Sequence, residues 1–225
     1  MNQFEIEIKS LLGSKEKADQ LVQKMHSSDP NFISLGSHKQ LNHYFTQNAN
    51  TITLYSAIVN YLLENKKEQL KKILDNPKNL SVRTRQADDK VLLVIKATID
   101  DTTSSNGTAR LELESEMNMS LEDLDKLVLS AGFEYQAKWS RERQEFKYKD
   151  LSVSIDKNAG YGYLAEFEKV IDDQTKADET KALIRETMKL LEVQELAQDR
   201  LERMFAHYNA NWKDYYGTDK TFTID

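Results

Sequence analysis

The chain has 225 residues, with 31 Lys and Arg against 37 Asp and Glu, and its formal net charge is −6. The absence of cysteine excludes disulfides, thiolate zinc sites and cysteine nucleophiles, and the acidic balance argues against general nucleic-acid binding. No stretch approaches the ~18 apolar residues that a membrane span needs, and no secretory signal opens the chain, so we expect a cytoplasmic protein without a membrane segment.

Alternation of apolar and polar residues with period two predicts eight strands along the chain. They cover Gln3–Leu11, Gln40–Thr46, Leu80–Ala87, Lys90–Ile99, Ala109–Glu116, Phe133–Lys147, Leu151–Lys157 and Tyr161–Ile171. Short turn signals such as Asp88-Asp89 and Lys149-Asp150 join several of them, as is typical of antiparallel neighbours. The sequence therefore predicts an α+β fold, an eight-stranded antiparallel β-barrel with helices packed outside.

Helical periodicity accompanies the predicted strands. It predicts a helix over Ser14–Ser27, a second that starts at Ser120, and C-terminal helices over about 175–208. A connection over about 47–79 carries apolar residues at helical spacing and is predicted to be a helical insertion that covers the barrel, with a lid or a homodimer contact as alternatives. No linker divides the chain, so we expect residues 1–225 to form a single domain.

Three predicted strands place charged residues on one face and apolar residues on the other. The charged positions are Glu5, Glu7 and Lys9, then Arg110, Glu112 and Glu114, and finally Glu166 and Glu168. A single strand of this kind is typical of a sheet with one solvated face. Three of them would bring six carboxylates together, and carboxylates in one place repel each other unless cations lie between them.

The predicted strands also supply cations. These are Arg83, Arg85, Lys96, Lys138, Arg141 and Arg143. Interleaved acids and bases lining one cavity would bind a metal ion and a polyanion together. Carboxylate oxygens are suited to Mg²⁺ or Mn²⁺, and Lys and Arg are suited to phosphate.

In this order the charged residues resemble the CYTH domain, the triphosphate tunnel metalloenzyme family of thiamine triphosphatases, inorganic triphosphatases and class IV adenylyl cyclases. The family's N-terminal E-x-E-x-K stands at residues 5–9. Its later pattern is matched in order by Arg83 and Arg85, Lys96, Arg110 with Glu112 and Glu114, Arg141 and Arg143, Asp156, and Gly162 with Glu166 and Glu168. The chain departs from the family at Asn42, where an acid is common, and in the long insertion.

The resemblance implies a tunnel in which basic side chains hold a triphosphate-containing small molecule and acidic side chains hold one or two divalent cations, Mg²⁺ or Mn²⁺. The implied metal ligands are Glu5, Glu7, Glu112, Glu114, Glu166 and Glu168. The implied phosphate-binding residues are Lys9, Arg83, Arg85, Lys96, Arg110, Arg141 and Arg143. Glu5, Glu7 and Lys9 are the predicted catalytic residues, whereas Asp156 and Lys138 stay open between a site role and an ordinary ion pair.

Three functions remain open on the sequence. A triphosphatase would direct water to the terminal phosphorus of inorganic, nucleoside or thiamine triphosphate, and we favour it because it needs the fewest site features. A class IV adenylyl cyclase would convert ATP to cyclic AMP and pyrophosphate, which requires an adenine pocket. A non-catalytic polyphosphate-binding module is the third, although pure phosphate binding does not need three E-x-E pairs.

Overall fold

The computed structural model describes residues 4–46, 51–75, 78–98 and 110–224. The strands are β1 Phe4–Gly13, β2 Ile33–Phe45, β3 Lys78–Ala87, β4 Lys90–Thr98, β5 Arg110–Glu116, β6 Tyr135–Tyr148, β7 Leu151–Asn158 and β8 Gly162–Ile171. The helices are α1 Lys15–Ser28, α2 Thr51–Ile58, α3 Glu64–Leu74, α4 Leu121–Ser130, α5 Ala177–Leu190 and α6 Gln198–Tyr215, with short 3₁₀ turns at Val59–Tyr61 and Gln174–Lys176. None of the helices in these ranges combines the length and apolarity needed to cross a membrane.

The strands follow the sheet order β1-β8-β7-β6-β2-β3-β4-β5. The predicted fold class, an eight-stranded antiparallel sheet with helices, is confirmed. Among the described residues β1 pairs with β8 alone and β5 with β4 alone, so the order is linear where the sequence predicted a closed barrel. The hairpin turns are as predicted, since Asp88 and Lys149 adopt φ values of +51° and +53°, which two-residue turns between antiparallel strands require.

The described residues divide into two units. The first unit contains residues 4–38 and 140–224. Its core lies where β1, β7, β8 and the end of β6 present their apolar faces to α1 and α5. The large buried side chains there include Ile6, Ile8, Leu21, Met25, Phe146, Tyr148, Phe167, Ile184 and Met188. Burying each such side chain stabilises the fold by about 1.5–3 kcal/mol, so the apolar side of each strand packs against the helices. The charged residues of these strands therefore lie on the opposite side of the sheet.

The second unit contains residues 39–46, 51–75, 78–98 and 110–139. Helices α2, α3 and α4 pack on the apolar face formed by the end of β2 with β3, β4 and β5. The buried side chains include Leu54, Ile58, Leu70, Ile73, Val82, Leu93, Ile95, Leu113, Leu124 and Val128. Gln69 of α3 also donates from Nε2 to the backbone carbonyl of Glu112 at 2.7 Å, which ties the helix to β5.

The C-terminal segment packs against the β7–β8 turn in the first unit. The amide of Phe222 donates to the carbonyl of Gly160 at 2.8 Å, and the amide of Gly160 donates to Lys220 at 2.9 Å. Tyr208 of α6 is fully buried, with its ring 5.8 Å from that of Tyr161. The aromatic residues of this segment therefore belong to a packed cluster.

Two element boundaries differ from the sequence prediction. β2 begins at Ile33 rather than at Gln40, and its first five residues are exposed on both faces, so this part of the strand lies outside the apolar core. α6 continues to Tyr215, beyond the predicted end near residue 208, and α5 ends at Leu190. Glu192, just after α5, adopts a φ of +58°, a left-handed conformation that ends a helix.

Candidate functional site

In the first unit, the pairing of β1 with β8 aligns the charged residues of the two strands. Glu7 lies directly opposite Glu168, and Lys9 lies opposite Glu166. The intervening residues of both strands, among them Ile8 and Phe167, are buried in the apolar core. Because side chains alternate along a strand, the charged residues share the face opposite that core.

A continuous set of ion pairs runs across this face, and we call it the first-unit network: Lys9, Arg141, Arg143, Asp156 and Glu166. Arg143 donates from Nε and Nη2 to the two carboxylate oxygens of Asp156, both at 2.7 Å, and Nη2 also donates to Glu166 at 2.6 Å. Arg141 donates from Nη1 to Asp156 at 2.9 Å. Lys9 lies 3.1 Å from Glu166 and also pairs with Glu7. Asp156 is only 1% exposed, so both arginines are anchored to a buried carboxylate.

The charges of the first-unit network reinforce each other. Burial by itself lowers the pKa of Arg143, but the hydrogen bonds and charges of Asp156 and Glu166 outweigh burial and raise it above its usual range. Burial raises the pKa of Glu166, yet the positive charges of Lys9, Arg143 and Arg141 hold it well below its usual range. Arg143 and Glu166 are therefore both ionised at neutral pH, and the hydrogen bonds between them fix the arginine donors in place.

Next to the network lies a surplus of negative charge. Burial raises the pKa of Glu168, and the negative charges of Glu5 and Glu166 raise it further. Neither Glu5 nor Glu168 forms an ion pair or hydrogen bond with another described side chain. Across this face four cations meet six carboxylates. The cations are Lys9, Arg141, Arg143 and Lys147, and the carboxylates are Glu5, Glu7, Glu145, Asp156, Glu166 and Glu168.

This surplus is the basis for asking whether a metal ion fits. The excess of two negative charges matches the charge of one divalent cation, and carboxylate oxygens are the donors that Mg²⁺ and Mn²⁺ prefer. Within the described ranges no three acidic or histidine side chains lie close enough together to enclose an ion. The donor set thus matches such an ion in charge and in donor type, but not in the arrangement of the side chains.

The second unit presents its own charged face on β2 and β3. Arg83 donates from Nη1 to the Tyr44 hydroxyl at 2.9 Å, and Arg85 donates from Nε to the Asn42 amide oxygen at 2.8 Å. The Nε of Arg83 is buried and has no hydrogen-bond partner in the described part of the chain. A buried donor without an acceptor is costly, so this nitrogen is suited to an incoming anion.

The same face continues onto β4 and β5. Lys96 lies 2.9 Å from Glu112, its neighbour across the strands, and Arg85 lies 3.4 Å from Glu114. Arg110 begins β5, but its side chain lies outside the described residues. Lys90 lies 3.6 Å from Glu116 on the same face. Four described cations thus meet three carboxylates, so this face, unlike that of the first unit, is positive and suited to phosphate.

The structure also separates the two residues that the sequence left open. Asp156 contacts two predicted phosphate-binding arginines. Lys138 instead lies 3.9 Å from buried Asp125 and 4.0 Å from the ring centroid of Tyr135. Asn42, Tyr44 and Asp125 were not predicted as site residues. The register of β2 with β3, which no sequence pattern revealed, is what brings Asn42 to Arg85 and Tyr44 to Arg83.

The family model of the CYTH domain matches residues 3–201, which is most of the chain. The chain belongs to the CYTH domain family. CYTH proteins act on triphosphates, as triphosphatases or adenylyl cyclases, and depend in general on metal ions. A comparison with curated proteins gives no match for this CYTH protein.

Solved structures with the same fold come from several organisms. A candidate adenylate cyclase from Vibrio parahaemolyticus is 13% identical, with a TM-score of 0.59 over 92% of this chain and 99% of the other. The PH1012 protein from Pyrococcus horikoshii is 17% identical, with a TM-score of 0.58 over 84% of this chain and 91% of the other. The PH1819 protein from the same organism is 16% identical, with a TM-score of 0.57 over 90% and 98%. At these identities the similarity shows a shared fold.

Proposed function

We propose that this CYTH protein is a divalent-metal-dependent triphosphatase, which removes the terminal phosphate of inorganic triphosphate, a nucleoside triphosphate or thiamine triphosphate. The supporting observation is the surplus of carboxylates in the first unit. Phosphate binding alone requires cations, and Glu5, Glu7 and Glu168 would repel a bound triphosphate. Their place beside Lys9 and Arg143 is explained if a divalent cation binds together with the substrate.

The basic residues would bind the phosphate oxygens. In the first unit we assign this role to Lys9, Arg141 and Arg143, and in the second unit to Arg83, Arg85 and Lys96 together with Arg110. A bound Mg²⁺ or Mn²⁺, held by Glu5 and Glu7 in the first unit, would neutralise charge that develops on the phosphate oxygens. Glu112 and Glu114 are the predicted ligands of the second unit. Asp156 and Glu166 keep the arginines of the first unit in one orientation, so little reorganisation is needed on binding.

The reaction also needs a proton acceptor for the attacking water. Glu168 suits this role because burial and neighbouring carboxylates raise its pKa and outweigh the positive charges of Arg143 and Lys147. Attack of the water oxygen on the terminal phosphorus forms one P–O bond and breaks the bond to the bridging oxygen. The proton passes to a carboxylate oxygen of Glu168, and the bridging oxygen leaves with the diphosphate.

The test is a direct assay of turnover. The purified protein is incubated with inorganic triphosphate and, separately, with ATP, each with Mg²⁺ or Mn²⁺ and each with a chelator, and the products are separated by chromatography. We expect orthophosphate, and only in the presence of the metal. Cyclic AMP with pyrophosphate would replace the hydrolase with a class IV adenylyl cyclase, and tight binding without turnover would leave a polyphosphate-binding module.

A matched pair of variants links turnover to the site. Glu7→Gln removes a predicted metal ligand and should lower turnover by about 100-fold or more. Glu186→Gln removes the same charge from the exposed face of α5 and should leave turnover unchanged. Both variants should fold, which circular dichroism can verify. Equal activity in Glu7→Gln and the wild type would contradict the assignment of the site.

A further inference from the structure

A buried carboxylate lies at the centre of a hydrogen-bond network in the second unit. Asp125 of α4 is 4% exposed and accepts three hydrogen bonds. They come from His43 Nδ1 at 2.7 Å, Thr84 Oγ1 at 2.5 Å and the Tyr135 hydroxyl at 2.6 Å. Lys138 Nζ lies 3.9 Å from the same carboxylate. Among the described side chains, none of the predicted metal ligands or phosphate-binding residues contacts Asp125.

The network is attached to the two strands that carry Arg83 and Arg85. The three cross-strand pairs are Asn42 with Arg85, His43 with Thr84 and Tyr44 with Arg83. Successive side chains of a strand point to opposite faces, so the middle pair faces α4 while the outer two pairs lie on the charged face. Asp125 therefore binds the residues on the opposite side of the same strand segments that carry the two arginines.

The network is rigid because its three hydrogen bonds all end on the charged carboxylate of Asp125. Burial raises the pKa of Asp125, but the hydrogen bonds from His43, Thr84 and Tyr135 outweigh burial and lower it below its usual value. Thr84 is fully buried and His43 is nearly so. Moving either strand relative to α4 would break charge-assisted hydrogen bonds in a site that water does not reach, so the network resists such movement.

The arginines that these strands present are poised for an anion. Arg83 has a buried Nε without an acceptor in the described ranges, and its Nη1 is held by the Tyr44 hydroxyl. The Nε of Arg85 donates to the neutral amide of Asn42, and its Nη1 donates to Glu114 at 3.4 Å, so the guanidinium is held from two sides. The direction of these donors therefore depends on where β2 and β3 lie.

We infer that Asp125 is a positioning residue for phosphate binding: by holding His43 and Thr84 on one face of β2 and β3, it sets the orientation of Arg83 and Arg85 on the other. The ligand in this inference rests on the proposed function. The positioning itself does not, because the orientation of the arginines can be measured without a ligand.

The experiment compares Asp125→Asn with Val128→Ala on the same helix. Val128 is fully buried, so its truncation perturbs the core under α4 while leaving the hydrogen bonds of Asp125 in place. The first readout is the pair of Arg83 and Arg85 Nε–Hε signals in ¹⁵N NMR spectra, assigned with Arg→Lys variants. The second is the affinity for inorganic triphosphate with Mg²⁺, measured by calorimetry. We expect Asp125→Asn to shift or broaden both arginine signals and to weaken affinity by about 10- to 100-fold. Val128→Ala should do neither.

A gentler pair of variants keeps the inference testable if Asp125→Asn does not fold. Thr84→Val removes one of the three donors at nearly constant volume, whereas Thr84→Ser retains the hydroxyl. The serine variant should keep the arginine signals and the affinity, and the valine variant should lose affinity by about tenfold. If the hydrogen bond of Thr84 had only a structural role, the affinities and arginine signals of the Thr84→Val and Thr84→Ser variants would change to the same extent.

The outcomes separate the two proposals. Unchanged arginine signals in Asp125→Asn, or in Thr84→Val where Asp125→Asn does not fold, overturn the positioning role whatever the affinity shows. A wild type that does not bind triphosphate overturns the proposed function, and the arginine signals then decide the positioning role on their own.

Discussion

Replacing Asp156 by asparagine tests how much of the first unit depends on the ion-pair network. Asp156 is 1% exposed and receives three hydrogen bonds from two arginines, at 2.7, 2.7 and 2.9 Å. Removing one partner of a buried ion pair costs about 3–5 kcal/mol. Asparagine keeps one acceptor oxygen, so we expect a loss near the lower end of that range. A loss of about 3 kcal/mol moves the urea midpoint down by about 1–3 M, which equilibrium unfolding followed by circular dichroism resolves.

The matched control is Asp219→Asn. Asp219 pairs with Lys157, the residue after Asp156 in β7, at the same 2.7 Å, but it is 85% exposed. Water screens such a pair, so its loss should move the urea midpoint far less than Asp156→Asn does. Similar urea midpoints for Asp156→Asn and Asp219→Asn would refute the reasoning that burial, rather than distance, determines the strength of the network.

Two further changes have definite expected outcomes. In Gly160→Ala the new methyl group would lie 2.7 Å from a ring carbon of Tyr208 at a residue with φ of +84°, so thermal unfolding should show a loss of about 1–3 kcal/mol. Gly217→Ala, where φ is +72° but nothing lies within 4 Å, should lose only the cost of the backbone conformation, about 1 kcal/mol. Because burial and the charge of Glu5 raise the pKa of Glu168, the folded protein keeps the proton longer than the unfolded chain, and the wild type loses stability as pH rises above 4.5. Glu168→Gln should remove that loss. Urea unfolding of the metal-free protein should therefore show the variant to be more stable than the wild type at neutral pH, but not at pH 4, while its turnover falls. A less stable variant at neutral pH would contradict the raised pKa of Glu168.

The strands that carry the charged residues could be predicted because one of their faces is apolar. Ile6 and Ile8 separate Glu5, Glu7 and Lys9, and the period of two is visible in the sequence. The first half of β2 was not predicted, although Ile33 and Leu35 alternate with Ser34 and Gly36, and neither of its faces is buried. The single-domain organisation stays a prediction.

The partners of the charged residues could not be predicted from the sequence, because they depend on strand register. Nothing in the spacing shows that Lys96 lies opposite Glu112 or that Glu7 lies opposite Glu168. Asp125 was missed for a related reason. It stands beside Leu124 in a helix whose apolar stripe is evident, and a polar residue next to such a stripe is expected to face solvent. Only the packing of α4 against β2 and β3 shows that it is buried.

The pairing of β1 with β8 has a consequence for synthesis on the ribosome. Glu7 finds its neighbour Glu168 only after about three quarters of the 225 residues have been made, and the contact closes a very long loop. Contacts of such sequence separation form late, since their loop entropy must be overcome before they stabilise anything. Until β8 emerges, β1 exposes an unpaired edge and an apolar face, so a nascent chain halted within β7 should be bound by chaperones or aggregate.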